Sequence, residues 1–220
     1  MLTIITPFTG VYFISILISS TVRPFPYPSR PSLFRERAGT RSFTGSNRII
    51  NLFYPIMKES IFSFFNAPIT NQVPNGVVCV SQLYAYITTS EWLRERTDQV
   101  RAASSDEKRF RRLKQSLLPY VTPAGIFSYR KEDHLLVPSG EFVIDIDHLS
   151  SPEEAICWRD TLFADERLRP DLSFVSPSTT GIKLLVPYRL SIKKTVEESF
   201  DEAVRFAWEY LEWKYGLKAD

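Results

Sequence analysis

In the run Phe142-Val143-Ile144-Asp145-Ile146-Asp147, two carboxylates stand two residues apart in an otherwise apolar segment. Strand alternation places Phe142, Ile144 and Ile146 on one face and Val143, Asp145 and Asp147 on the other. Like-signed residues on one strand face are roughly 6–7 Å apart. Two such charges beside an apolar strand are unfavourable unless a cation or cationic side chains compensate. Mg²⁺ or Mn²⁺, which take hard oxygen ligands, would do so. The pair is therefore a candidate divalent-metal site. Solvated carboxylates on an exposed face are the other reading, and an Asp-x-Asp alone does not separate the two.

A second chemical element follows about thirty residues later: Ser176-Pro177-Ser178-Thr179-Thr180-Gly181-Ile182-Lys183. It is a small, hydroxyl-rich turn that delivers a lysine onto the apolar run Leu184-Leu185-Val186. Hydroxyls and backbone N–H groups in such a turn can cradle phosphate oxygens, and the lysine supplies charge. The competing reading is a polar hairpin in which Gly181 only provides a positive φ. Its pairing with an upstream acidic strand favours the phosphate-binding reading.

The elements that must hold these residues can be read from periodicity. Residues 141–148 form a strand bounded by Pro138-Ser139-Gly140 and Ser150-Ser151-Pro152. Pro152 with Glu153 and Glu154 behind it suits a helix N-terminus, and that helix runs to about Phe163. Residues 172–175 and 182–187 read as strands joined by the hydroxyl-rich turn. Residues 195–215 form a long amphipathic helix with Val196, Phe200, Val204, Trp208 and Leu211 on one stripe, ended by Gly216. The order β-α-β-β-α is that of a split βαβ sheet. Upstream, residues 81–96 carry Leu83, Tyr84, Ile87 and Trp92 at helical spacing. A second helix starts at Ser105-Asp106, runs through Lys114 and stops before Pro119. It bears Lys108, Arg109, Arg111, Arg112 and Lys114, either a solvated face or a local phosphate-contact surface. Residues 125–129 form a short strand.

The 220 residues are 44% hydrophobic, enough for one domain with a substantial core but not for two full-sized ones. The net charge of +2 is uneven: residues 1–56 hold six Arg and one acid, and the rest hold 21 basic and 24 acidic side chains. Any nucleic-acid contact must then come from local clusters rather than a globally basic surface. Cys79 and Cys157 have no metal-type spacing to each other or to His134 and His148, which argues against structural zinc and for a reducing compartment. Residues 2–20 are apolar, but Pro7 and Gly10 interrupt them and no positive charge precedes them. Residues 1–56 are read as an unstructured or non-native extension dispensable for folding, with a membrane anchor or export signal as the alternative. No stable membrane association is expected.

With those residues in place, the chain resembles the archaeo-eukaryotic primase superfamily, which includes plasmid and phage primase-polymerases. That superfamily carries three motifs on an RRM-like core: a hydrophobic-Asp-x-Asp strand, a strand with Ser-x-His, and a later acid. Residues 140–147 are similar to the first, and Phe174-Val175-Ser176-Pro177-Ser178 with Gly181 and Lys183 resembles a Ser-Pro-Ser-Gly-x-Gly form of the second. More narrowly, the chain resembles the primase-like N-terminal domain found ahead of VirE-type P-loop helicase domains in bacterial mobile elements. Phe65-Asn66-Ala67-Pro68-Ile69-Thr70-Asn71, Leu117-Leu118-Pro119 and Gly125-Ile126-Phe127 carry that narrower likeness, which covers nearly all of residues 57–220.

The resemblance implies an α+β fold, an RRM-like split βαβ catalytic core with an additional N-terminal helical lobe. It implies metal-dependent nucleotidyl transfer in DNA replication, in the cytoplasm, on a single-stranded DNA template. Asp145 and Asp147 would bind Mg²⁺ or Mn²⁺, and Ser176, Ser178, Gly181 and Lys183 would bind the nucleoside triphosphate. Lys183 stands where most members have a phosphate-contacting histidine, a departure that bears on catalytic competence. The third acid falls at Asp220, read as a third metal ligand in a domain cut short there, with a helicase domain expected C-terminal to it. The rival reading is a non-catalytic domain that binds single-stranded nucleic acid or nucleotide for a neighbouring helicase. Exposed aromatics on the sheet would be its signature; Phe127 and Tyr129 are candidates, with packing in the core as their other reading. A third reading is a metal-dependent nuclease, for which no general-base histidine is assigned.

Overall fold

A computed structural model describes residues 59–219 and the backbone of Ile14–Ser15. The expectations for residues 1–56 as a whole and for Asp220 fall outside the described residues. Among the described residues the fold is mixed α+β, with five helices and three small antiparallel sheets.

The first sheet combines β1 (Ile14–Ser15), β2 (Ile61–Phe65), β3 (Gly76–Cys79) and, later in the chain, β4 (Tyr120–Thr122), in the order β1-β4-β2-β3. Between β3 and β4 lie α1 (Val80–Thr89), α2 (Glu91–Arg101) and α3 (Glu107–Leu117). The N-terminal lobe is thus a mixed sheet-and-helix unit rather than a purely helical one. The single helical segment read over 81–96 is two helices broken at Ser90. The Ser90 hydroxyl accepts the Leu93 N–H at 3.2 Å, which starts a new helix with its own phase. Leu93, Thr97 and Val100 then face inward, while Trp92 is 44% exposed beneath the Arg96 guanidinium. Asp106 caps α3 by accepting the Arg109 N–H at 3.0 Å.

β5 (Gly125–Phe127) and β6 (Leu135–Pro138) make a two-stranded ribbon. The third sheet holds β7 (Glu141–Ile146), β8 (Leu172–Val175) and β9 (Ile182–Pro187), in the order β7-β9-β8. Both outer strands are antiparallel to β9 and so parallel to each other. The crossover between them is α4 (Pro152–Phe163), whose N-terminus is set by Pro152 and by Ser151 accepting the Glu154 N–H at 3.2 Å. The chain ends in α5 (Val196–Tyr215), opened by a Thr195/Glu198 capping box and closed by Gly216 at φ 66°, a left-handed conformation that glycine adopts without a Cβ clash.

This sheet is buried on both faces. Phe142, Ile144, Ile146, Ile182 and Leu184 pack against Ala155 and Leu162 of α4 and Phe200, Val204 and Leu211 of α5. Val143, Leu172, Phe174 and Leu185 join Phe62, Leu83, Leu93 and Val121 of the N-terminal lobe. Each fully buried Leu or Ile contributes roughly 1.5–3 kcal/mol relative to exposure. A one-residue slip of β7 would invert both faces, so two cores fix its register. The site depends on that register.

Candidate functional site

The chemistry-bearing residues gather at one end of the third sheet. Register pairs Asp145 of β7 directly with Lys183 of β9. Both side chains lie on the face shared with the N-terminal lobe, and the Lys183 ammonium donates to Asp145 Oδ2. Lys183 thus shares a sheet face with Asp145. It does not face an open cleft, however: Lys183 is only 5% exposed. β7 ends at Ile146, two residues short of its expected end, so the exposed Asp147 sits just beyond the strand.

Asp147 folds back against the hydroxyl-rich turn, and Gly181 makes that possible. A Cβ at Gly181 would run into Asp147 Oδ1 and lie 2.9 Å from Ser176 Oγ and 3.0 Å from the Ile146 carbonyl oxygen. The positive φ in this turn belongs to Thr179, at 67°, so Gly181 is required for close approach and not for backbone handedness. The turn is closed by Ser176 N–H to Gly181 O at 2.8 Å and Thr179 N–H to Ser176 O at 3.0 Å. Leu149 N–H to Thr180 O at 2.8 Å ties the segment after Asp147 to the same turn. Ser176 is buried with its hydroxyl 2.7 Å from that of Ser178, and Ser178 is the exposed member of the pair.

Two cations from the N-terminal lobe complete the surroundings. Lys114, in the last turn of α3, lies within electrostatic reach of Asp145, Asp147 and Lys183. Burial, reinforced by the Lys183 charge, lowers its pKa against the pull of the two aspartates. Arg101, the last residue of α2, donates from Nε to the Pro177 carbonyl at 3.3 Å, and its Nη2 is buried without a hydrogen-bond partner. Of the basic residues read on α3, Lys108, Arg109, Arg111 and Arg112 are exposed and only Lys114 turns toward the acids. Nothing in the sequence singled out Arg101. Lys114 was visible only as one of five basic residues.

Asp145 is the electrostatic centre. Burial raises its carboxyl pKa, aided by Asp147 and opposed by Lys183 and Lys114. Its Oδ1 is buried and has no hydrogen-bond partner. An orphaned carboxylate oxygen beside a second, exposed carboxylate fits a hard divalent cation. Among the described residues no group of three His, Cys, Asp or Glu side chains comes together, so no third such side chain joins Asp145 and Asp147.

Of the two aromatic residues weighed for base stacking or for the core, Phe127 takes the core reading. Phe127 is buried at 3% exposure, and Tyr129 is half-buried with its hydroxyl donating to Gln72 Oε1. Two buried carboxyls that sequence reasoning missed lie elsewhere. Glu141 opens β7 at 0% exposure, beside Asp171 and Ser60. Asp165 accepts hydrogen bonds from Tyr210, Lys214 and Tyr215 at 2.6–2.9 Å and from the Arg167 and Leu168 N–H groups at 2.8 Å. It locks the end of α4 to the last turns of α5.

Among the described residues, no helix is long and apolar enough to cross a membrane. Residues 112–218, from within α3 to just past α5, match the family model described as BT4734-like, N-terminal domain. No curated protein and no solved structure matches this chain.

Proposed function

We propose that this domain carries out metal-dependent nucleotidyl transfer of the primase-polymerase type in DNA replication, on a single-stranded DNA template. One observation carries the reading: Asp145, Asp147, Lys183 and the Ser176–Gly181 turn converge at one end of one sheet. The strand order β7-β9-β8 with the α4 crossover supports a split βαβ, RRM-like core.

In this reading Asp145 and Asp147 hold Mg²⁺ or Mn²⁺, with Asp147 kept in place by Gly181 behind it. Bound divalent ions would activate a 3′-hydroxyl and offset charge on the triphosphate. The exposed Ser178 hydroxyl and turn N–H groups donate to phosphate oxygens, and the buried Ser176 fixes the Ser178 rotamer. Lys183 contributes a point charge rather than a planar fork. Positioning and charge stabilisation of this kind dominate phosphoryl transfer. A C-terminal helicase domain and a cytoplasmic setting follow from the same likeness.

A second reading, a non-catalytic domain that binds nucleotide or nucleic acid for a helicase, is favoured by the Lys183–Asp145 ion pair, which engages one of the two metal-binding carboxylates. The assay supplies single-stranded DNA, labelled nucleoside triphosphates and Mn²⁺. Template-dependent product from the wild type, abolished by Asp145→Asn or Asp147→Asn, supports transfer. Nucleotide binding without product supports the second reading.

A further inference from the structure

The tight pairing of Lys183 with Asp145 has a consequence for how a metal enters. We propose that Lys183 and a divalent cation are mutually exclusive on Asp145, so that metal entry releases the Lys183 ammonium toward the phosphate-binding turn. This inference rests on the reading of Asp145 and Asp147 as a metal site.

The ammonium sits on Oδ2 and leaves Oδ1 without a partner, so the competition is one of charge on a single carboxylate. Lys183 is in direct register with Asp145, its ammonium sits on Oδ2, and two packed cores hold β7 and β9 in that register. The charges facing the acids are Lys183 from β9 and Lys114 from α3, which together balance Asp145 and Asp147. A dication added to that set leaves two surplus positive charges beside the buried Lys183 head, where repulsion is screened less than in water. One ammonium must therefore give way. The lysine head rides on a flexible four-carbon stem, so it can leave Asp145 while β9 stays fixed. The nearest segment of its own chain is the turn ending at Gly181, two residues before it. The acids thus stay neutralised without metal, and a free ammonium appears beside the phosphate turn only once metal is bound.

The test titrates Mn²⁺ alone into the full chain, comparing wild type with Lys183→Met, Lys183→Gln and Asp145→Asn, each checked for a cooperative melt. Removing the competitor should tighten Mn²⁺ binding about tenfold or more. In the wild type, Mg²⁺ should shift the NMR signals of the Lys183 ammonium group, a readout independent of whether the variants fold. Unchanged or weaker Mn²⁺ binding by folded Lys183 variants, while Asp145→Asn loses it, overturns this inference and leaves the metal site standing. An unmoved Lys183 signal at saturating Mg²⁺ overturns it equally. No Mn²⁺ binding by any form overturns the metal-site reading and this inference with it.

Discussion

Replacing Glu141 with glutamine should make the domain more stable at neutral and alkaline pH. Glu141 is fully buried at the start of β7, with Asp171 and Ser60 as its polar neighbours. Burial, reinforced by the Asp171 charge, pushes its carboxyl pKa from an ordinary 4.5 up to about 9. A group whose pKa is raised on folding contributes stability that is fully present below the unfolded value and lost as pH climbs through the folded value. The window here is pH 4.5 to 9, and each unit within it removes at most about 1.4 kcal/mol. Between pH 6 and 8 the wild type should lose about 1–3 kcal/mol that Glu141→Gln, uncharged throughout and similar in shape, does not lose. Urea unfolding of both proteins at pH 6, 7 and 8 measures this difference and cancels the other titrating groups. Parallel stability profiles for the two proteins would refute the reasoning.

Two further outcomes follow from the packing. Burial would raise the Asp165 carboxyl, but hydrogen bonds from Lys214, Tyr215, the Leu168 N–H and Tyr210 overcome it and hold the pKa well below the usual range. Asp165→Asn should therefore cost about 2–4 kcal/mol at pH 7. A depressed pKa gives stability above the unfolded value that fades as pH falls, so the gap to wild type should narrow below about pH 4; thermal melts at pH 7 and 3.5 check both points. Gly181→Ala should cost about 1–2 kcal/mol, because the new Cβ meets the Ile146 carbonyl as well as Asp147. It should also weaken Mn²⁺ binding measured by calorimetry; full stability with unchanged binding would remove the role assigned to Gly181.

Where local signals set an element, the sequence carried it. The bounds of β8 and β9 agree with the apolar runs, and Pro152, Thr195 and Gly216 mark helix ends through capping chemistry that a few residues encode. β6 escaped because Leu135, Leu136 and Val137 are all partly exposed and show no alternation. The break between α1 and α2 turns on one serine. In the site, the two aspartates and the hydroxyl-rich turn were legible from type and spacing, but their partners were not. Lys183 meets Asp145 across 38 residues, and the Asp165 network spans 45 to 50. Which of five basic residues on α3 points at the acids is decided by how that helix packs, and its own sequence leaves this open. The role of Gly181 likewise appears only when Asp147 is brought against it.

In the proposed function, Asp145 and Asp147 together bind a divalent cation. Calorimetric titration of Mn²⁺ into the wild type and into Asp145→Asn/Asp147→Asn, both confirmed folded by cooperative melting, tests it most directly. Saturable binding by the wild type and none by the double variant is the expected result; equal binding by the two proteins would remove the metal site.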